Sequence, residues 1–296
     1  MAMYNASLVG GSSVEIDGVA YDGDLKLVSS DIWESLQKTN LPYAFSHSDA
    51  VVFNNEIHIL GGGGSNVMKN HYKYNGSTWE SVSTLPYDFY YGSAVVFNNE
   101  IHILGGSGGY GKHYKYNGSS WESVSTIPVN YFIGSAVVFN NEIHILGGNG
   151  GTKNHYKYNG SSWESLNELP YAFSHSDAVV FNNEIHILGG SGGYGKHYKY
   201  NGSSWESVST LSYGFYYGSA VVFNNEIHVL GGGDNYGTMH YKYNGSSWES
   251  VSTLPYKFVW GGAVVLNYGI HIFGGGAYTS SATDTHYKIG TLLKVA

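Results

Sequence analysis

The chain has 296 residues, 42% of them hydrophobic and only 12% charged, so it has material for a core but roughly half the usual charged quarter of a globular protein. Its formal net charge is −8 and every basic residue is a lysine, which argues against gripping nucleic-acid phosphates, a task that calls for a basic stripe and favours the arginine fork. Cysteine is absent, which excludes a disulfide framework, a thiolate metal site and a cysteine nucleophile, and no run of about 18 apolar residues predicts a membrane-spanning helix.

Residues 1–30 stand apart from the rest of the chain. Met1 to Gly10 lack a basic stretch followed by an apolar one, so no secretory signal is expected. Val14 to Val28 reads as a small hairpin with its turn at Asp22-Gly23, serving as a cap or as an attachment point for a partner. A propeller-like repeat fills residues 31–296. Its unit is Gly92 to Gly106, a variable stretch, then His113 to Thr126. The tryptophans at 33, 79, 121, 163, 205 and 248 are 46, 42, 42, 42 and 43 residues apart. A period in the low forties marks a propeller blade, although helical HEAT and armadillo arrays share it.

Strands are preferred over helices because the apolar runs are short, β-branched and aromatic. Ala94 to Phe97 and Ile101 to Leu104 flank a tight connection at Asn98-Asn99-Glu100, and His113 to Tyr116 and Trp121 to Val124 flank Asn117-Gly118. Each unit thus predicts four antiparallel strands, a to d. A single such sheet leaves two apolar faces bare, and arranging blades around an axis covers them. The expected fold is all-β: a six-bladed β-propeller of four-stranded antiparallel blades. Six a, b and c strands are present, but only five d strands follow a c strand. Residues 31–38, which carry Trp33, are therefore expected to supply the last d strand and close the ring; Thr291 to Val295 is the competing candidate.

The Gly-Gly pair after strand b, the tyrosine of strand c and the tryptophan of strand d, here Gly105-Gly106, Tyr114 and Trp121, resemble the kelch repeat. The resemblance recurs six times over residues 31–296. It implies a propeller, and no single function, since one fold hosts many.

Variation is concentrated in the d–a and b–c connections, which an up-and-down blade places on one rim; the a–b and c–d turns scarcely change over blades 1 to 5. Loops on a rigid scaffold are where recognition is usually carried. The first d–a position is always aromatic and reads as packing. The positions that follow supply Tyr90, Tyr91, Phe132, Tyr216, Tyr217 and Trp260, and the b–c loops add Tyr110, Tyr194, Tyr236 and Tyr278 with Asn66, Asn149, Asp234 and Asn235. Rigid amphipathic aromatics beside small polar groups suit a glycan or a protein surface; the alternative is that they plug the channel mouth. Blades 1 and 4 share His47 with Asp49 and His175 with Asp177. These pairs read as ligand-contacting residues, as a metal half-site or oriented base, or as the residue of a three-blade duplication.

Twelve further histidines recur once per strand b (His58, His102, His144, His186, His228, His271) and once at the start of each strand c (His71, His113, His155, His197, His240, His286). Their period equals the blade period, so a structural role within the blades is expected rather than a metal array. The Asn-Gly-Ser tripeptides have the form of glycosylation sequons, and turn chemistry explains them.

The reading that follows is a non-enzymatic binding module, without cofactor or metal, that recognises a glycan or a protein; the alternative is a structural assembly subunit. Long near-identical repeats of this kind resemble propellers of prophage tail and surface proteins, which implies receptor binding or virion decoration, with residues 1–30 engaging virion or tail proteins. Three resemblances to enzyme propellers stop short at named features. Galactose oxidases need a Tyr–Cys crosslink, and cysteine is absent. The sialidase box matches at Gly118 and Trp121, but Tyr116 stands in place of its aspartate and there is no arginine. Sialic-acid epimerases call for a carboxylate anchor, for which no candidate is apparent.

Overall fold

The structure, a computed structural model, describes residues 6–9, 13–16, 19–22, 25–29, 33–36, 41–63, 68–233, 237–276 and 282–295. It is a six-bladed β-propeller. Blade 2 is typical: strand a is Ser93–Phe97, b is Glu100–Leu104, c is His113–Tyr116 and d is Trp121–Ser123, paired antiparallel in that order. Blade 1 opens with Asp49–Phe53, and blades 3, 4, 5 and 6 with Ser135–Phe139, Asp177–Phe181, Ser219–Phe223 and Gly262–Leu266. Each strand a lies against the strands a on both sides, round the full circle from blade 6 to blade 1.

The turns follow from local chemistry. Phe97 pairs with Glu100, so the a–b connection is the two residues Asn98 and Asn99, at φ 50° and 59°. Both being left-handed, this is the turn whose twist matches the flanking strands. The c–d loop is longer, Asn117 to Ser120. The Asn117 Oδ1 accepts the backbone N–H groups of Ser119 (2.9 Å) and Ser120 (3.0 Å), and Tyr116 donates its hydroxyl to the Gly118 carbonyl at 2.8 Å.

Apolar burial belongs to the seams between blades. Val51, Phe53 and Leu60 of blade 1 pack with Ile101, Ile103 and Tyr116 of blade 2, and the other seams repeat the arrangement. The second glycine of each Gly-Gly pair donates its N–H to the first aromatic residue of the next d–a loop: Gly62 to Phe89, Gly106 to Tyr131, Gly148 to Phe173, Gly190 to Phe215, Gly232 to Phe258 and Gly275 to Phe45, at 2.7–2.9 Å. All six of those aromatics are completely buried, as their constancy implies.

The ring is closed by the N-terminal segment. Glu34 and Ser35 pair with Lys288 and Tyr287 of the long strand His286–Val295, forming the d strand of blade 6. The competing segment, 291–295, pairs instead with Leu25–Ser29. The Asp22-Gly23 turn is corrected. Ser13–Ile16 pairs with Val19–Asp22 in a sheet with Ala6–Val9, so the hairpin reverses between Ile16 and Val19, and Asp22 ends a strand. Asp17-Gly18 offers the same turn chemistry as Asp22-Gly23, and pairing with neighbouring strands decides between them.

The histidines form one pair within each blade. Nδ1 of the strand b residue faces Nε2 of the strand c residue, from 2.7 Å in His102–His113 to 3.0 Å in His271–His286. Burial lowers the pKa of His58, His102, His144, His186 and His228 to about 4, and of His71, His113, His155, His197, His240 and His271 to about 3.

Two outcomes are expected. A base whose folded pKa lies below its unfolded value of about 6.5 contributes stability that is complete above that pH and is lost as pH falls below it. Each unit of pH between about 6.5 and the folded value costs up to about 1.4 kcal/mol per histidine, so thermal melts are expected to show a markedly lower Tm at pH 5 than at pH 7.5. Equal midpoints would refute the neutral, buried state of the pairs. Gly105 sits at φ 62°, and a Cβ there would stand 2.0 Å from the Tyr131 carbonyl oxygen of the next blade. Gly105→Ala is expected to cost more than about 1 kcal/mol in urea unfolding, beyond the ordinary penalty of a left-handed alanine.

Candidate functional site

The third residue of each d–a loop reaches the axis: His47, Tyr91, Ile133, His175, Tyr217 and Trp260. All six have left-handed backbones, with φ between 55° and 65°. That region is unfavourable for bulky residues and most of all for β-branched Ile133. A closed circle of hydrogen bonds holds them there. His47 N–H donates to the Trp260 carbonyl (2.8 Å), Tyr91 to His47 (3.1 Å), Ile133 to Tyr91 (2.8 Å), His175 to Ile133 (3.0 Å), Tyr217 to His175 (2.7 Å) and Trp260 to Tyr217 (2.8 Å).

The side chains above this circle are in mutual contact. Trp260 lies 3.8 Å from Tyr217, 4.2 Å from His47, 5.4 Å from Tyr91 and 5.5 Å from His175, centroid to centroid. Tyr90 packs on Tyr91 (4.1 Å) and Tyr216 on Tyr217 (4.8 Å). Further out, exposed Tyr110 meets Phe132 at 5.3 Å and exposed Tyr194 meets Tyr216 at 6.5 Å. Ten of the residues singled out from sequence are thus brought to one rim, with Asp49 and Asp177 beneath it; Tyr236, Tyr278, Asn66, Asp234 and Asn235 lie outside the described residues. Trp260 bridges the axis, so the aromatics both cover the channel and present a surface.

Beneath the axial residues is a cavity of about 130 Å³, room for several waters, bordered by the first residue of each strand a: Asp49, Ser93, Ser135, Asp177, Ser219 and Gly262. Asp49 and Asp177 face this cavity and are otherwise enclosed. Asp49 accepts the N–H groups of Ala50 (2.7 Å) and of Ala94 in the next blade (2.6 Å). Asp177 accepts those of Ala178 (2.8 Å) and Ala220 (2.9 Å) and the hydroxyl of Ser135 (3.0 Å). Burial raises the pKa of Asp49 to about 7 against the pull of these amides, with the charge of Asp177 adding to the rise; burial raises Asp177 as well.

On a regular strand His47 and Asp49, two residues apart, would point the same way and could form the half-site or oriented base read from the sequence; the geometry corrects this. His47 is in the left-handed loop, where its Nδ1 meets Ser46 Oγ at 2.7 Å, while Asp49 begins the strand and ties blade 1 to blade 2. Burial lowers the pKa of His47 to about 4, with His175 contributing, and burial lowers His175 in the same direction. Among the described residues no group of three or more histidine, cysteine or carboxylate side chains is placed to hold a metal ion. Sequence reasoning passed over Ile133 and the serine positions. Alignment of the loops carried the signal, since Ile133 occupies the column of His47 and Tyr91.

The molecule is a six-bladed β-propeller with an aromatic axial rim. A family model described as the DUF6242 beta propeller domain matches residues 29–172, just under half of the chain. A solved structure reported as that of YjhT superposes with a TM-score of 0.75 at 16% identity, over 86% of this chain and 99% of that one. At that identity the likeness extends to the fold alone. No curated protein matches the chain.

Asp177→Asn replaces an acceptor oxygen by an N–H₂ that must face an N–H or hydroxyl donor. It is expected to cost roughly 1–3 kcal/mol in urea unfolding at pH 7.5, the price of a buried group left unpaired. An unchanged midpoint would show that the carboxylate does not tie blades 3, 4 and 5 together.

Proposed function

We propose that this propeller is a non-enzymatic binding module whose ligand, a glycan or a protein surface, rests on the rim built by the d–a and b–c loops. One observation carries the reading: the residues that differ between otherwise near-identical blades converge on one end of the channel. Of the axial six, His47, Tyr91, His175, Tyr217 and Trp260 present rings, and Tyr110 and Tyr194 are 47% and 65% exposed beside them. Exposed rings next to small polar groups favour stacking on sugar faces and adaptable contact with protein. The a–b and c–d turns, nearly constant over blades 1 to 5, lie at the opposite end.

In the finer form of this reading the module decorates a virion or binds a receptor, and residues 1–30 attach it. Support for that is the resemblance of the repeat, together with the pairing of Leu25–Ser29 with the closing blade. The test is a glycan array and a pull-down with the wild type and with Tyr91→Ala/Tyr217→Ala. The double variant is expected to lose at least about tenfold in affinity, equivalent to about 1.4 kcal/mol. Binding that is unchanged in the double variant would move the ligand away from this rim.

A further inference from the structure

The seam between blades 5 and 6 differs from the other five. At those five, the last tyrosine of strand c stands edge-on against the strand c histidine of the preceding blade: His71–Tyr116, His113–Tyr158, His155–Tyr200, His197–Tyr243 and His286–Tyr74, at 4.9–5.1 Å. Each of these tyrosines is buried, 3–4% exposed. The c–d turn beyond it closes the outer end of the seam. A Cβ on Gly118, for example, would lie 4.0 Å from Phe53 of the preceding blade, and one on Gly160 the same distance from Phe97.

Blade 6 has neither feature. Ile289 occupies the tyrosine position, and the strand runs on through Gly290 to pair with Leu25–Ser29 where the other blades turn. The seam is left open as a cavity of about 410 Å³ lined by Phe223, Glu226, His228, His240, Lys242 and Ile289. The neighbours register the loss. Phe223 is half-buried, whereas Phe53, Phe97, Phe139 and Phe181 are 3–4% exposed, and His228 is 7% exposed against 2–4% for the other strand b histidines. The volume is in the range of small-molecule sites, about 300–1,000 Å³, and apolar walls with a few polar groups are their usual lining.

We propose that this seam is a binding site for a phenol ring, that of a small para-substituted phenol or of a tyrosine side chain, which fills the place held at the other five seams by the repeat's own tyrosine. The template is in the molecule itself. Five copies of the seam show a tyrosyl ring packed edge-on to this histidine, and blade 5 supplies the same partners, His240 and Phe223. Trp33 stands against His240 at 5.9 Å, as the strand d tryptophans do elsewhere. The Glu226 carboxylate, 3.1 Å from Lys242, is an acceptor for the hydroxyl. The site is distinct from the axial rim and does not depend on the reading given to it.

The test uses p-cresol and the full chain. Calorimetric titration is expected to show saturable binding, with nuclear Overhauser contacts from the ring protons to the Ile289 methyl groups. Ile289→Tyr restores the repeat residue and is expected to weaken p-cresol binding at least about tenfold while raising the Tm. If Ile289→Tyr fails to fold, Ile289→Phe is used, with the same expectation for binding. Absence of saturable binding, or binding undiminished in a folded variant, overturns the proposal. Sedimentation separates the sources of the ring. Tyr268, in the a–b turn of blade 6, is 78% exposed. A wild type that dimerises, and that p-cresol or Tyr268→Ser returns to monomer, takes the ring from a second copy; a wild type monomeric throughout takes it from solution.

Discussion

The fold depends on the circle of six backbone hydrogen bonds at the axis. Each N–H in it finds its acceptor one blade away, so no blade satisfies its own innermost residue. Unpaired amide groups there would border a small cavity with few water partners, which makes the circle costly to leave incomplete. Satisfying it requires a left-handed backbone at six non-glycine positions, a strain of order 1 kcal/mol or more each, sustained only because surrounding contacts fix the loops. The second circle, from Gly-Gly pairs to buried aromatics, provides that fixation. Side chains at the axial positions are consequently free to vary, since the backbone alone makes the ring.

The same division explains the two kinds of histidine. Those in strands b and c are paired with each other inside a blade, and at five seams the strand c histidine packs edge-on against the tyrosine and tryptophan of the next, so they belong to the seams. His47 and His175 sit on the axial circle, where their rings join the aromatic cover over the cavity. Asp49 and Asp177 carry the connection one step inward: each uses its two oxygens on amides of two adjacent blades. A carboxylate in that position stitches blades together and also lends the cavity its acidic character.

Closure of the ring introduces a departure from the repeat. Borrowing strand d from the N-terminal segment means that the last strand c is not followed by a hairpin, and the chain continues outward to pair with Leu25–Ser29. Among the described residues, no c–d turn caps the leading seam of the blade that seals the circle. Asymmetry of this kind gives a nearly regular scaffold one position unlike the others, outside the variable rim.

The sequence by itself determined the architecture. Period, strand chemistry, Asn-Asn turns and the displaced Trp33 together specify six blades and the strand that completes the last, because blade formation is local and repeats six times. It also placed the variable aromatics on one rim, since strand alternation fixes which loops share an end. It did not place the Asp22-Gly23 turn, because Asp17-Gly18 has equal local merit and strand pairing chooses. It could not separate His47 from Asp49, which their spacing of two would put on one face of a strand but a left-handed residue turns apart. The axial circle, the two buried carboxylates beneath it and the open seam beside Ile289 were decided only by tertiary structure, because each is a contact between blades some forty residues apart, and local sequence carries no record of what faces it across a seam.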